Sequence, residues 1–283
     1  MTEFPLSQAQ IDTFVEAALT EDVGPGDRTC DAVIDPAAQL QAHLTARENA
    51  IVCGTPLAKA FFRALDPGAA FDVHLHDGMP AEKGQVIAAV SGKASVLLTA
   101  ERSALNSLQL LSGIATHTRA YRAAMGNAKA KLLDTRKTIP GYRLLSKYAA
   151  VCGGATNHRM GLYDAVMIKD NHIAVAGGVK QAIAAAKAAG ERQIQVECDT
   201  LEQADIAIEA GATSLLLDNM APLMLVEAVK RYGGRVPLEA SGGITLETIG
   251  AIAATGVDYV SVGGALTLSA PAIDIGMDYT FAT

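Results

Sequence analysis

The sequence predicts an α/β protein: a β-rich N-terminal unit followed by a parallel βα repeat that forms a small or incomplete barrel. Beyond residue 130, six short apolar runs alternate with helical stretches, and the last four runs recur about every 22 residues. All six runs end in a polar residue or a glycine, as barrel strands do where they converge on a mouth. These strand ends are Asp134, Lys169, Glu197, Asp218, Ser241 and Gly263.

The first 34 residues predict one helix and one loop. Residues 7–19 place apolar side chains at helical spacing, and Ser7 precedes them as a natural N-cap. Residues 19–34 are interrupted by glycine and proline, which predicts a structured surface loop. Several acids in this loop leave cation binding open as an alternative.

Residues 38–95 predict a small β-rich unit, because short alternating segments are separated by glycine and proline turns. His74 and His76 are spaced to share a strand face, a spacing that could ligate a metal. No third ligand stands nearby in the sequence, so an exposed edge strand is the favoured interpretation. The pattern then changes to helical spacing over residues 97–125, with a broad apolar face typical of a seam between units or subunits.

The repeat beyond residue 130 supplies both element types in alternation. Helical stretches such as GVKQAIAAAKAAG and APLMLVEAVKRYG separate its strands. About 150 residues is short for eight full βα units, and for this reason an incomplete barrel is expected. The predicted strands are 131–135, 164–170, 193–199, 214–219, 236–242 and 258–264.

Composition narrows the class of protein. The chain has 283 residues, half of them hydrophobic, and a net charge of −7, which argues against nucleic acid as a partner. Its four cysteines form no CxxC pair, which favours a reduced, cytoplasmic setting. No signal peptide is expected, and no uncharged apolar run reaches the ~18 residues that a membrane span requires.

Cations concentrate in one stretch, residues 132–172, of this acidic chain. Most of them stand beside glycines or at the ends of short apolar runs, so we expect a strand-end site for a substrate with several carboxylates or phosphates. Arg143 and Lys147 follow Pro140-Gly141 on a helix-like segment and are expected to be solvated surface. The remaining members are Arg136, Lys137, His158, Arg159 and Lys169.

Two further groups complete the predicted site. Glu197 and Asp218 end successive strands and could hold ribose hydroxyls, a Mg²⁺ ion or a developing cation. The segments EASGGIT and SVGGAL are glycine-rich turns after the last two strands, where barrels bind phosphate through backbone N–H groups. Cys152 and Cys198 are read as packed thiols, and no nucleophile–base pair stands out.

The sequence resembles the quinolinate phosphoribosyltransferase family. The matching segments include EDVGPGDRT, AERSALN, DTRKTIPG, NHRMGL, IKDNH, VECDTLEQA, LLLDNM, LEASGGI and VSVGGALTLS, in family order over nearly the whole chain. The last segment departs from the family's usual SVGALTHS by an extra glycine and by Leu268. The resemblance implies an N-terminal α/β sandwich domain, residues 1–112 joined by 270–283, and an incomplete parallel α/β barrel, residues 113–269.

The resemblance also implies an activity and a set of roles. The reaction would be Mg²⁺-dependent phosphoribosyl transfer from phosphoribosyl pyrophosphate to quinolinate, with decarboxylation, in a cytoplasmic homodimer. Lys137, Lys169, Glu197 and Asp218 would be catalytic, and the two acids would reach the metal through water or substrate. Quinolinate and phosphoribosyl pyrophosphate would contact Arg102 (from the partner chain), Thr135, Arg136, Lys137, His158, Arg159, Lys169, Glu197, Asp218, Ser241, Gly242, Gly243, Gly263 and Gly264.

Three alternatives remain open from the sequence. The first is a related phosphoribosyltransferase of the same fold that acts on another acid. The second is a barrel lyase or isomerase of sugar phosphates in which Lys169 forms a Schiff base, which borohydride trapping would reveal. The third is a regulator that binds phosphoribosyl pyrophosphate without releasing pyrophosphate or CO₂.

Overall fold

The computed structural model describes residues 3–280, with only the backbone of Thr280, and divides into two compact units. The first unit contains residues 3–119, Leu144–Gly153 and 270–280; the second contains Ala120–Arg143 and Gly154–Ser269. This division assigns 113–119 and Leu144–Gly153 to the first unit, whereas the predicted domain boundary lies at 112/113. That boundary stays a prediction, and its outermost residues, 1–2 and 281–283, lie outside the described part of the chain.

A four-stranded antiparallel sheet forms the centre of the first unit, with strand order β12-β1-β5-β3. The short pair β2–β4 forms a separate two-stranded sheet. The last strand of the chain therefore completes the first sheet by pairing with β1. The strands are β1 (Gln39–Ala46), β2 (Ala50–Ile51), β3 (Ala70–Val73), β4 (Pro80–Ala81), β5 (Val86–Lys93) and β12 (Ile275–Thr280).

Helices of the first unit confirm two predictions and correct one other. The predicted helix at 7–19 is present with Ser7 as its N-cap, and the long helix predicted at 97–125 is present with a buried apolar face. The predicted loop at 19–34 is wrong in part, because a helix runs to Val23 and another starts at Arg28. The helices are α1 (Gln8–Val23), α2 (Arg28–Val33), α3 (Thr55–Leu65), α4 (Ala94–Ala124) and α5 (Arg143–Gly153).

Asp27 explains why a helix forms inside the predicted loop. Its carboxylate accepts the backbone N–H groups of Thr29 and Cys30, each at 3.0 Å, and so caps α2. These hydrogen bonds lower the pKa of Asp27 to about 2. Asp27, one of the loop acids considered as cation ligands, is thus the N-cap of a helix.

The histidine pair is also placed differently from the prediction. β3 is an edge strand, but it ends at Val73, so His74 and His76 do not share a strand face. His74 Nε2 lies 3.5 Å from a carboxylate oxygen of Asp72. No group of three metal-ligating side chains occurs among the described residues, these two included.

The second unit is built on a six-stranded parallel sheet with strand order β6-β11-β10-β9-β8-β7. All six predicted strands are present, and each is followed by a helix or a turn that returns the chain to the next strand. Along the described chain, β6 and β7 do not pair, so the barrel is incomplete, as predicted. The strands are β6 (Lys131–Leu133), β7 (Val166–Ile168), β8 (Ile194–Cys198), β9 (Ser214–Asp218), β10 (Leu238–Ser241) and β11 (Tyr259–Ser261).

Strand β9 shows why these runs fold as central strands. Leu215, Leu216 and Leu217 are all buried, as expected for a parallel strand covered on both faces. Helices alternate with the strands of this unit, and the helical stretches predicted from residue 178 onward are present. The helices of this unit are α6 (Asp170–Ala176), α7 (Val179–Ala188), α8 (Leu201–Ala210), α9 (Pro222–Tyr232), α10 (Ile249–Ala253) and α11 (Gly264–Thr267).

Neither unit contains a membrane-spanning candidate. Within residues 3–280, no helix combines the length and the apolar character needed to cross a bilayer.

Candidate active site

A cavity of about 420 Å³ opens at the carboxyl ends of the parallel strands in the second unit. This is the position where barrels of this architecture keep their chemistry. Every cation retained from the predicted cluster contributes to its wall, as do the two predicted acids. The lining residues are Thr135, Arg136, Lys137, His158, Arg159, Met167, Lys169, Glu197, Leu216, Asp218, Glu239, Ser241 and Ser261.

Two arginines, Arg136 and Arg159, line the same cavity. Burial, together with the positive charge of Arg136, holds the pKa of Arg159 below its ordinary value. Arg159 is oriented by the carbonyl oxygen of Ala165, which accepts a hydrogen bond from Nη1 at 3.0 Å. The Nε atom of Arg136 is buried and has no hydrogen-bond partner in the described chain. Neighbouring guanidinium groups repel each other, and an anion between them relieves that repulsion.

A lysine–carboxylate pair spans the ends of two neighbouring strands. Lys169 follows β7, and its ammonium group binds the carboxylate of Glu197 on β8. Asp218, at the end of β9, accepts a hydrogen bond from the side chain of Asn219 at 2.6 Å. This part of the cavity therefore presents one lysine and two acids at the ends of successive strands.

The glycine-rich turn after β10 has a backbone that requires glycine. Gly242 and Gly243 have φ angles of 95° and 60°, in the region that residues with side chains rarely adopt. A Cβ atom on Gly242 would also lie 2.7 Å from the backbone nitrogen of Asn219. Asn219 itself has a φ of 53°, so two unusual backbone turns approach each other beside Ser241.

The second glycine pair follows β11 and has a different role. Gly263 has negative φ, but a Cβ atom there would lie 3.0 Å from Nζ of Lys137. Glycine at this position thus leaves space for the lysine. Gly264 begins the short helix α11. None of the four turn glycines lines the cavity. They follow β10 and β11, whose end residues Ser241 and Ser261 do line it. These glycines are Gly242, Gly243, Gly263 and Gly264.

Two buried acids, Asp134 and Glu239, hold the segment that carries Arg159 through contacts with His158. Asp134 is fully buried and accepts the backbone N–H of His158 at 2.7 Å, so this predicted strand-end acid supports the site from within. Glu239 is 3% exposed, and its Oε2 atom lies 3.2 Å from His158 Nε2 and 2.7 Å from Gln195 Nε2. Burial by itself raises the pKa of Glu239, but hydrogen bonds from His158, Ser261 and Gln195 outweigh it and lower that pKa.

Several residues of this site were not predicted from the sequence, although strand periodicity could have identified them. Successive side chains on a strand alternate between faces, so the residue two positions before a strand-end residue shares its face. The structure follows this rule on four strands. The resulting pairs are Met167 with Lys169, Gln195 with Glu197, Leu216 with Asp218, and Glu239 with Ser241.

Three other predicted residues lie elsewhere. Arg102 is an exposed residue of α4 in the first unit and does not line the cavity. Arg143 is half-buried and donates hydrogen bonds to Thr138 Oγ1 at 3.2 Å and to the carbonyl oxygen of Met160 at 3.3 Å. Lys147 was expected to be solvated but is fully buried, on helix α5 in the part of the chain that belongs to the first unit. That expectation was wrong.

The cysteines behave largely as packed thiols. Cys198 is buried within β8, and burial raises the pKa of its thiol to about 12. Cys152 is half-buried in the first unit, so it does not belong to the cavity.

Two carboxylates of the cavity, those of Glu197 and Asp218, have the oxygen-donor chemistry that Mg²⁺ takes. Because the described residues contain no cluster of three metal-ligating side chains, an all-protein metal cage is not present in them. Glu197 and Asp218 nevertheless line one cavity. Mg²⁺ is commonly held by one or two carboxylates, with water and substrate phosphates completing its shell.

Comparison with known proteins identifies the family. Residues 27–112 match the model for the N-terminal domain of quinolinate phosphoribosyl transferase, and residues 114–278 match the model for its C-terminal domain. A probable carboxylating nicotinate-nucleotide pyrophosphorylase from Bacillus subtilis is 41% identical over 279 residues, covering 98% of this chain and 96% of that protein.

Two further relatives agree in sequence and in structure. The decarboxylating quinolinate phosphoribosyltransferase 1 of Nicotiana glauca is 44% identical, covering 93% of this chain and 80% of that protein. The solved nicotinate-nucleotide pyrophosphorylase of Francisella tularensis superposes with a TM-score of 0.93 at 38% identity, covering 99% of this chain and all of that one. The chain described above therefore belongs to the quinolinate phosphoribosyl transferase family.

Proposed function

We propose that this chain transfers the phosphoribosyl group of phosphoribosyl pyrophosphate to the ring nitrogen of quinolinate and promotes loss of the 2-carboxylate as CO₂. The products are nicotinate mononucleotide and pyrophosphate, which makes this a step of NAD biosynthesis. Support comes from the family and from the names of full-length relatives, which are carboxylating or decarboxylating enzymes.

The observation that carries this proposal is the pair of arginines, Arg136 and Arg159, which share one cavity with two lysines and with the acids Glu197 and Asp218. Quinolinate has two adjacent carboxylates, and guanidinium groups bind carboxylates through paired N–H donors. Arg136 offers a buried N–H that no described group accepts. The partner subunit's Arg102 would add a third guanidinium, which is why the enzyme is proposed to act as a homodimer.

Charge development explains the remaining residues. Departure of pyrophosphate gives C1 of the ribose cationic character, which the carboxylates of Glu197 and Asp218 stabilise. Lys137 and Lys169 neutralise the departing pyrophosphate. Once the ring nitrogen carries the ribose it is positively charged, so it stabilises the electron pair that stays on C2 when the 2-carboxylate leaves as CO₂. A proton from solvent then takes the place of the carboxylate at C2. No general base is needed in this sequence of events.

The glycine turns suit the terminal phosphate of the ribose. Backbone N–H groups in such turns bind phosphate oxygens without the bulk of a side chain. We assign this role to Ser241, Gly242 and Gly243 after β10 and to Gly263 and Gly264 after β11. Thr135 lines the same cavity beside Arg136.

Mg²⁺ is the proposed metal, held by Glu197 and Asp218 through water or through the substrate. When bound, it supplies charge neutralisation at the pyrophosphate oxygens. A cytoplasmic location is proposed from the cysteine usage, which shows no CxxC pair, and from the free thiols of the structure.

A direct assay tests the proposal. The protein is mixed with quinolinate, phosphoribosyl pyrophosphate and Mg²⁺, and CO₂ and nicotinate mononucleotide are followed together. Equal amounts of both products are expected, with neither formed when nicotinate replaces quinolinate. Equal activity with nicotinate would contradict the proposed reaction. Binding of phosphoribosyl pyrophosphate with no product formed would contradict it as well.

A further inference from the structure

The hydrogen bonds of His158 assign its tautomer. Its Nδ1 atom accepts the backbone N–H of Arg159 at 2.6 Å, so Nδ1 carries no proton. The proton therefore resides on Nε2, which donates to Oε2 of Glu239 at 3.2 Å. Both ring nitrogens are thus engaged inside the protein, and the imidazole is connected to a carboxylate on one side and to the backbone on the other.

Glu239 is placed to impose this arrangement. It lies on β10 and is almost fully buried, and an unpaired carboxylate there would be strongly destabilising. Two donors meet its Oε2 atom, His158 Nε2 and Gln195 Nε2, the latter from β8. One donor from strand β8 and one from the segment before β7 therefore fix the carboxylate, and the carboxylate fixes the ring.

These contacts fix the backbone at Arg159. Asp134 binds the backbone N–H of His158, and the ring of His158 binds the backbone N–H of Arg159. Two successive peptide groups are therefore held by two buried carboxylates, one directly and one through the imidazole. The side chain of Arg159 leaves from this fixed backbone and reaches the cavity beside Arg136.

We propose that Glu239 is a positioning residue for recognition of the substrate carboxylates: it holds His158 as the Nε2–H tautomer and thereby fixes the backbone from which Arg159 reaches the cavity. Such supporting hydrogen bonds matter because a binding group must be held close to its productive geometry. This inference rests on the proposed function for its kinetic test but not for its spectroscopic test.

The test compares Glu239→Gln and Glu239→Leu with Glu191→Gln. Glu191 is an exposed residue before the amino end of β8, so its variant removes the same charge at a position remote from the strand ends that form the cavity. Nitrogen-15 NMR of labelled histidine, recorded without substrate, reports the tautomer of His158. The wild type and Glu191→Gln are expected to show the Nε2–H form. Glu239→Leu is expected to lose that single form, because Nε2 no longer has its acceptor.

Steady-state kinetics then separate positioning from general damage. We expect Glu239→Leu to raise the KM for quinolinate roughly tenfold to a hundredfold, with the KM for phosphoribosyl pyrophosphate within about twofold. Glu239→Gln retains an oxygen acceptor and should lie between the wild type and the leucine variant. If the leucine variant does not fold, the glutamine variant alone must still show the selective rise.

A double-mutant cycle identifies the route of the effect. If Glu239 acts through His158, then Glu239→Gln should add little to the quinolinate KM of His158→Gln. Additive effects, or Glu239 variants with an unchanged tautomer and unchanged KM, would overturn the inference. An inactive wild type that shows the Nε2–H form would instead overturn the proposed function and leave this assignment standing.

Discussion

Arg136 is half-buried, and its guanidinium group has a donor without an acceptor among the described residues. This combination is more useful for binding a ligand than for stabilising the fold. Its Nε atom is buried and lacks a partner in the described chain, which costs the folded protein free energy. A bound carboxylate would supply the missing acceptor. The residue is thus better explained by its ligand than by the stability of the sheet.

Arg136→Ala should therefore weaken quinolinate binding and leave the fold intact. A hydrogen bond to a charged group contributes about 1.5–3 kcal/mol, so the Kd should rise roughly 10- to 150-fold. Calorimetric titration measures the affinity, and circular dichroism measures the melting temperature. Arg136→Lys should recover only part of the affinity, because lysine lacks the paired donors.

Arg192→Ala provides the matched control, since Arg192 is exposed and precedes β8 at the opposite end from the cavity. Its quinolinate affinity should equal that of the wild type. An Arg136→Ala protein with unchanged affinity would remove Arg136 from the site.

Among individual residues, the charged side chains that line the cavity were predicted from the sequence, but the buried residue that holds one of them in place was not. Arg136, Lys169 and Asp218 were recognisable because they follow apolar runs directly. Glu239 was not, because it stands inside a strand and its importance depends on a contact with His158, 81 positions earlier. Lys147 shows the converse: its exposure was inferred from local pattern, and tertiary packing buried it.

Among the elements, the turn after β10 is the one whose geometry permits least change. Gly242 needs a positive φ angle, and its Cα faces the backbone of Asn219, which also has positive φ. A side chain at Gly242 would therefore strain its own backbone and push the neighbouring turn away. Both turns belong to the proposed phosphate and ribose sites.

Gly242→Ala should be destabilising and should also impair phosphoribosyl pyrophosphate binding. Gly177→Ala is the control, because Gly177 has a similar φ of 85° but open space around its Cα. The control should lose about 1–2 kcal/mol of stability from backbone strain alone. Gly242→Ala should lose at least as much again from the clash, together with a higher KM for phosphoribosyl pyrophosphate.

Thermal melts and steady-state kinetics measure the two effects. Equal stability losses in both variants would show that the turn at Gly242 relaxes freely. An unchanged KM would remove this turn from the phosphate site.

Element prediction succeeded where periodicity was sustained and failed where local chemistry intervened. The strands beyond residue 130 were found because each is a buried apolar run with a helix after it. Helix α2 was missed because its start depends on the Asp27 cap inside a glycine-rich segment. Helix α3 was missed because its apolar residues, such as Phe61 and Phe62, stand between strand-like runs.

For the whole molecule, the proposed homodimer makes a specific prediction about complementation. Arg102→Ala and Lys137→Ala chains are each expected to be inactive alone. After subunit exchange, each mixed dimer would contain one intact site, so an equimolar random mixture should recover about a quarter of wild-type activity. This follows only if Arg102 acts across the subunit interface.

Activity of the mixture is measured after dissociation and reassociation, with each variant treated alone as the control. Failure to recover activity, although mixed dimers form, would show that Arg102 acts in its own chain. Exposure of Arg102 on α4 is compatible with contact to a second chain.

Because β12 follows the second unit in the chain, the first sheet can be completed only after the second unit has been synthesised. Ala46 of β1 pairs with Ile275 of β12, and a ribosome adding roughly 5–20 residues per second needs about 10–50 s to make the chain between them. The second unit ends at Ser269, so all of it is translated before that pairing is possible. Until then β1 has a free edge, and free strand edges invite pairing with other chains. A nascent chain therefore has its second unit before its first sheet is complete, and throughout that interval the free edge of β1 is the place where pairing with another chain can begin.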